Sequence, residues 1–127
     1  MFETDNEEKY IMKRRSDFPI SVIKTLLEII DQEIKDGLSI NYLSMVSGYS
    51  RWHLQRIFKS SIGVSLGTYI RYKRVKRAAN DIVKIDTRLI DVVVDYGFSS
   101  QASFCRTFKT VYGITPGSYR RTRKSVD

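Results

Sequence analysis

Residues 58–71 read FKSSIGVSLGTYIR, and residues 108–121 read FKTVYGITPGSYRR. Set one above the other at an offset of 50, a Phe, a Lys, two Gly, a Tyr and an Arg fall in register. Upstream, LSMVSGYS (43–50) lies over VVVDYGFS (92–99) at an offset of 49, and the Gly-aromatic-Ser endings coincide. Matches at both ends of a unit, with a one-residue slip between them, mark an internal repeat. The repeat decides how RLIDVVVDYGF (88–98) is read, because that stretch is rich in β-branched residues and by propensity alone could be a strand. The first copy has helical periodicity, so the second copy is expected to be helical as well.

In the stretch 17–37, Val22, Ile23, Leu26, Leu27, Ile30 and Ile34 recur with the 3.6-residue period of a helix face. Pro19 suits its first turn and Gly37 its exit. Ser39 is placed to cap a short helix with Ile40, Leu43 and Val46 inward, ended by Gly48. Ser50 caps a third helix running to about Ser61, before Gly63. Ser65 caps a fourth, about Leu66 to Ile85, with Leu66, Tyr69, Ile70, Val75, Ala78, Ala79 and Ile82 on one side. Each copy is therefore a short helix, a Gly-containing turn (SGYS or YGFS) and a longer helix, which is the form of a helix-turn-helix. The expected organisation is all-α. A flexible N-terminal tail covers residues 1–16 and a first helix-turn-helix subdomain 17–64; a linker helix follows at 65–85, a second subdomain at 86–122 and a C-terminal tail at 123–127.

Composition narrows the function. Hydrophobic residues make up 42% of the 127, enough for a core and too many for global disorder. One Cys excludes an intrachain disulfide, and one His leaves no Cys/His spacing for a metal. No apolar run approaches the ~20 residues of a membrane span, and the acidic start MFETDNEEKY is no signal peptide. A cytoplasmic protein is expected, without cofactor. The net charge of +8 is uneven: residues 1–40 hold 6 basic and 9 acidic side chains (−3), residues 41–127 hold 16 and 5 (+11). Positive charge concentrated where the motifs lie points to a polyanion.

The stretch SRWHLQRIFK (50–59) shows how that polyanion could be read. On its helix, Leu54, Ile57, Phe58 and Ser61 share one side, and Arg51, Trp52, Gln55, Arg56 and Lys59 the other. In the second copy Phe104, Phe108 and Val111 lie inward and Gln101, Ala102, Cys105, Arg106 and Lys109 outward. Arginine reads guanine through O6 and N7, and glutamine can pair with adenine. The indole of Trp52 suits a thymine methyl or a sugar edge. Lys59 and Lys109 are expected to meet phosphate, and Ser50 and Ser99, as caps, to leave helix N-termini free to hold one. A fourth helix ending near Ile85 would be roughly 30 Å long. Adjacent major-groove segments are about 34 Å apart, so one monomer could reach two of them, with some bending of the DNA.

The motifs SGYSRWHLQRIFK (47–59), GVSLGTYIR (63–71), YGFSSQASFCRTFK (96–109) and GITPGSYRR (113–121) give the chain a resemblance to a known family. Over residues 20–121 it resembles the DNA-binding domain of AraC/XylS bacterial transcription activators, closest to the small stand-alone branch of MarA, SoxS and Rob. The resemblance implies seven helices, with two helix-turn-helix units joined by a long helix. It also implies monomeric binding to asymmetric DNA sites and recruitment of RNA polymerase. It implies base contacts from Trp52, Gln55 and Arg56, with Arg51 nearby, and from Gln101, Ala102, Ser103 and Arg106. The branch carries Gln-Gln-Thr where this chain has Gln101-Ala102-Ser103, so base reading by the second unit is expected to be weaker or different. No stretch is long enough for the separate small-molecule effector domain that many members carry.

Other readings compete. Trp52 could be half-buried core, but Gln55 and Arg56 at i+3 and i+4 favour an outward ring. His53 reads as a residue packed at the turn, and Cys105 as an ordinary thiol with no resolving partner. The run RYKRVKR (71–77) fits a nucleic-acid patch and a solvated helix face equally well. A non-specific nucleic-acid binder needs only the charge, and a protein that merely docks on polymerase needs no reading face. An enzyme is disfavoured by the lack of a nucleophile–base pair.

Overall fold

The computed structural model describes residues 20–35, 37–84 and 86–126. Among these residues there are seven helices and no strand: α1 (Ile20–Gln32), α2 (Ile40–Ser47), α3 (Arg51–Ile62), α4 (Leu66–Ile82), α5 (Leu89–Asp95), α6 (Gln101–Tyr112) and α7 (Pro116–Val126). The chain divides into two compact units. The first ends inside α4 at Ile70; the second takes Ile34–Gly37 and everything from Arg71 onward.

In the first unit α1 buries Ile23, Leu26 and Ile30, the stripe its periodicity predicts. It closes at Gln32, earlier than expected; Gly37 sits beyond it in the loop with φ 108°. Pro19 lies outside the described residues. The Tyr42 hydroxyl donates to both carboxylate oxygens of Glu33, at 3.0 and 2.8 Å, which ties α2 to the end of α1. Ser39 caps α2 by accepting from the Tyr42 N–H at 3.0 Å. The expected inward face of α2 is narrower than its sequence suggests. Leu43 is buried and Ile40 half-buried, but Val46 is 45% exposed beside Met45 at 74%. A helix of eight residues buries one thin stripe, and Leu43 occupies it. Gly48 then turns the chain at φ 79°, a left-handed conformation that costs glycine nothing, and the Ser44 hydroxyl donates to the Tyr49 carbonyl at 2.6 Å across the turn. α3 buries Leu54, Ile57, Phe58, Ser61 and Ile62. Phe58 meets Tyr69 of α4 edge-on at 5.3 Å.

In the second unit the rest of α4 buries Tyr72, Val75, Ala78, Ala79 and Ile82. The helix ends at Ile82, short of the expected Ile85, which lies outside the described residues. Its length is about 25 Å rather than about 30 Å. The chain turns away through Asp86, whose φ is 66°. Asp81, in the last turn of α4, accepts from the Tyr96 hydroxyl at 2.7 Å and from Lys84 at 3.1 Å. Burial pushes the Asp81 carboxyl up, but these two donors outweigh it and hold the group below its ordinary range. Burial, with the Asp81 partner, pushes the Tyr96 phenol well above its usual value.

The β-branched stretch is helix α5, as the repeat requires, with Val92, Val93 and Tyr96 buried. Asp91 in its first turn suits the positive end of the helix dipole. Phe104 and Phe108 of α6 centre an aromatic cluster with Phe98 (5.1 Å from Phe104), Tyr112 (4.7 Å from Phe108) and Tyr119 (5.3 Å from Phe108). The basic run at 71–77 is partly consumed here. Arg74 donates to the Ile34 carbonyl at 3.0 Å, and the Lys76 ammonium lies 5.6 Å from the centre of the Tyr112 ring. α7 starts at Pro116 after Thr115, which accepts from the Ser118 N–H at 3.1 Å. It continues to Val126, so residues 123–126, expected as a tail, are helical.

Candidate nucleic-acid interface

The two longer helices of the repeat match in detail. α3 and α6 each have 12 residues, and their sequences, RWHLQRIFKSSI and QASFCRTFKTVY, contain no carboxylate. Each closes on a left-handed glycine, Gly63 or Gly113, whose N–H donates to the carbonyl of Lys59 or Lys109 at 2.8 Å. Each opens on a serine: Ser50 accepts from the His53 N–H at 3.1 Å, and Ser100 from the Ser103 N–H at 3.0 Å. The caps therefore stand at an offset of 50 while the turn glycines, Gly48 and Gly97, stand at 49. This locates the slip and corrects one assignment. Ser99 is not the cap; it is the inserted residue, exposed in the turn, and Ser100 takes the capping role. The lagging register of the two alignments was the signal that could have found it.

On α3 the outward face is as expected. Arg51, Gln55, Arg56 and Lys59 are exposed, and Trp52 is 70% exposed, so the half-buried alternative for this ring falls away. The guanidinium of Arg56 lies over the indole, 5.4 Å from its centre. His53 is half-buried against the turn, edge-on to Tyr49 at 5.5 Å and stacked beside Trp52 at 6.3 Å. On α6, Gln101, Ala102, Arg106 and Lys109 are exposed, while Ser103 and Cys105 are half-buried. Its partial burial puts Ser103 on the flank of the helix more than on its crest, and its carbonyl accepts from the Thr107 hydroxyl at 3.0 Å. Each unit thus gathers its own candidate residues onto one helix face, except Ser103, which lies at the edge of the second. Both faces offer hydrogen-bond donors and positive charge, with no negative charge of their own to repel phosphate, and the flat apolar ring of Trp52 belongs to α3 alone.

A family model described as a helix-turn-helix domain matches residues 43–122. The transcriptional activator AarP of Providencia stuartii is 37% identical over 108 residues, 85% of this chain and 80% of its own. The multiple antibiotic resistance protein MarA of Escherichia coli is 38% identical over 111 residues, 87% of each chain. This chain belongs to the AraC/XylS family. Within it, it falls on the branch that includes MarA and SoxS. A crystal structure of an AraC-type transcriptional regulator from Chromobacterium violaceum superposes with a TM-score of 0.73 at 25% identity, covering 81% of this chain and 92% of its own. Like its relatives, this AraC/XylS member is a sequence-specific DNA-binding transcriptional activator and not an enzyme. No helix among its described residues is long and apolar enough to cross a membrane, and no described cluster of His, Cys, Asp or Glu could hold a metal.

Proposed function

We propose that the protein binds promoter DNA as a monomer, lays α3 and α6 into major-groove segments of one duplex, and recruits RNA polymerase there, in the bacterial cytoplasm at the nucleoid. The observation that carries this reading is the matched pair of carboxylate-free helices, capped alike and exposing Arg56 and Arg106 at the same repeat position. Arg51, Trp52, Gln55 and Arg56 read bases in the first unit; Gln101, Ala102, Ser103 and Arg106 do so in the second. Ala102 has no hydrogen-bonding side chain, so it either touches a thymine methyl or makes no base contact. Lys59 and Lys109, near the C-terminal ends of the two helices, grip phosphate, and Ser50 and Ser99 lie in the turns that precede the helices, within the reach of the backbone.

The test is selection of sites from a random duplex library against excess random competitor. The expected product is an asymmetric site of about 20 base pairs in two blocks about one helical turn apart. With that site, Arg56→Ala is expected to lose on the order of 1–3 kcal/mol of discrimination at one position. Lys59→Ala weakens every sequence alike. Absence of any enriched site would leave a non-specific basic binder. Transcription in vitro with purified polymerase, on a promoter carrying the selected site, tests recruitment: an unchanged transcript yield on adding the protein would refute it.

A further inference from the structure

The two reading faces are not equal, and the difference lies beside the arginines. Trp52 and Arg56 stand one turn apart, and the guanidinium of Arg56 rests on the exposed indole at 5.4 Å. His53 stacks on that ring from alongside, at 6.3 Å and 26°. At an offset of 50 the second unit repeats the arginine, as Arg106, but not the ring: Ala102 stands where Trp52 does. A cation and an amide are also lost in the same comparison, since Gln101 replaces Arg51 and Cys105 replaces Gln55. We propose that Trp52, beyond any base contact of its own, is a positioning residue for Arg56, and that this ring makes the first unit the sharper reader of bases.

The physical reason is preorganisation. A free arginine side chain samples many rotamers and loses that freedom when it docks on a base edge. A ring beneath the guanidinium holds the planar fork in fewer orientations before DNA arrives, so less freedom remains to be lost on binding. Attraction between the cation and the indole face adds to the restriction; at an exposed site it corresponds to about a two- to fivefold bias. Arg106 has only a methyl group at the equivalent place and meets the DNA less ordered. The inference rests on base reading by Arg56, and its test is built so that the two can fail separately.

Binding of the full chain to its selected site is compared with binding to duplexes altered at one base in either block. Trp52→Ala is expected to lower discrimination at the Arg56 base by about two- to fivefold. The loss should nearly vanish in the Arg56→Ala background, and Trp52→Phe should restore much of it. Losses that simply multiply in the double variant would overturn the positioning role. A second readout uses the free protein. The Arg56 δ-protons should show an upfield ring-current shift in NMR spectra that disappears in Trp52→Ala; ordinary shifts in the unaltered chain would overturn the stack. Ala102→Trp should raise discrimination in the second block by about the same two- to fivefold, and unaltered discrimination there would overturn the explanation of the asymmetry. If Arg56→Ala weakens selected and random duplexes equally, base reading itself fails and this inference falls with it, even with the ring-current shift present. Trp52 is exposed, so its truncation should leave the far-ultraviolet circular dichroism unchanged.

Discussion

Ser61 is the one polar residue fully buried among the described side chains, and its hydroxyl has no hydrogen-bond partner among them. An unpaired buried hydroxyl costs stability, and the second copy has Val111 at the equivalent position. Ser61→Ala is therefore expected to leave stability unchanged or raise it by about 1 kcal/mol in urea unfolding. A clear loss would mean that the hydroxyl is satisfied. The pair of Tyr96 and Asp81 behaves oppositely. The Asp81 carboxyl titrates lower in the folded chain than the usual ~3.9, so its contribution is complete above that pH and is lost as acid protonates it. Tyr96→Phe should lower stability at neutral pH by about 1 kcal/mol and flatten the decline below pH ~4. An identical acid limb in the variant would refute the link. At the other extreme, burial and the neighbouring Tyr119 and Tyr72 push the Tyr112 phenol up to about 12. Its contribution is present below the usual ~10 and is lost as pH rises from there towards that value.

Helix ends carry the next set of differences. Ser50 and Ser100 each accept a backbone N–H in the first turn of α3 or α6, whereas Ser99 is an exposed turn residue. Replacing a capping serine by alanine costs typically about 1 kcal/mol. Ser50→Ala and Ser100→Ala are each expected to cost that much in thermal or urea unfolding, and Ser99→Ala almost nothing. A cost at Ser99 equal to that at Ser100 would contradict the placement of the inserted residue. α5 is the element in which propensity and outcome disagree. Its valines favour a strand, yet Val92, Val93 and Tyr96 fall on one helical stripe that the unit buries. Burial of that stripe outweighs the modest propensity cost of β-branched residues in a seven-residue helix.

Taken as a molecule, the protein is a cation with a sequence pI near 9.7. Each phosphate it neutralises releases condensed counterions, so affinity for any duplex should fall steeply with salt. Lys59→Ala and Lys109→Ala should each reduce the logarithmic salt slope by about 1, with site preference retained. Arg56→Ala should instead change preference among sites. Slopes that do not respond to either lysine would place the phosphate contacts elsewhere.

Much of this was legible before any coordinates. The repeat made α5 a helix, the 3.6-residue period separated Leu54, Ile57 and Phe58 from Arg51, Gln55 and Arg56, and the charge of +11 on residues 41–127 gave the sign of the partner. These are properties of neighbours along the chain, and sequence order alone carries them. The exposure of Val46, the end of α4 at Ile82, the capping by Ser100 and the seat of Arg56 on Trp52 were not legible in that way. Each depends on which atoms arrive from elsewhere in space, or fail to arrive. Periodicity says which side of a helix is apolar, but only packing says how much of that side is covered and which rotamer a long side chain takes up on the side left bare.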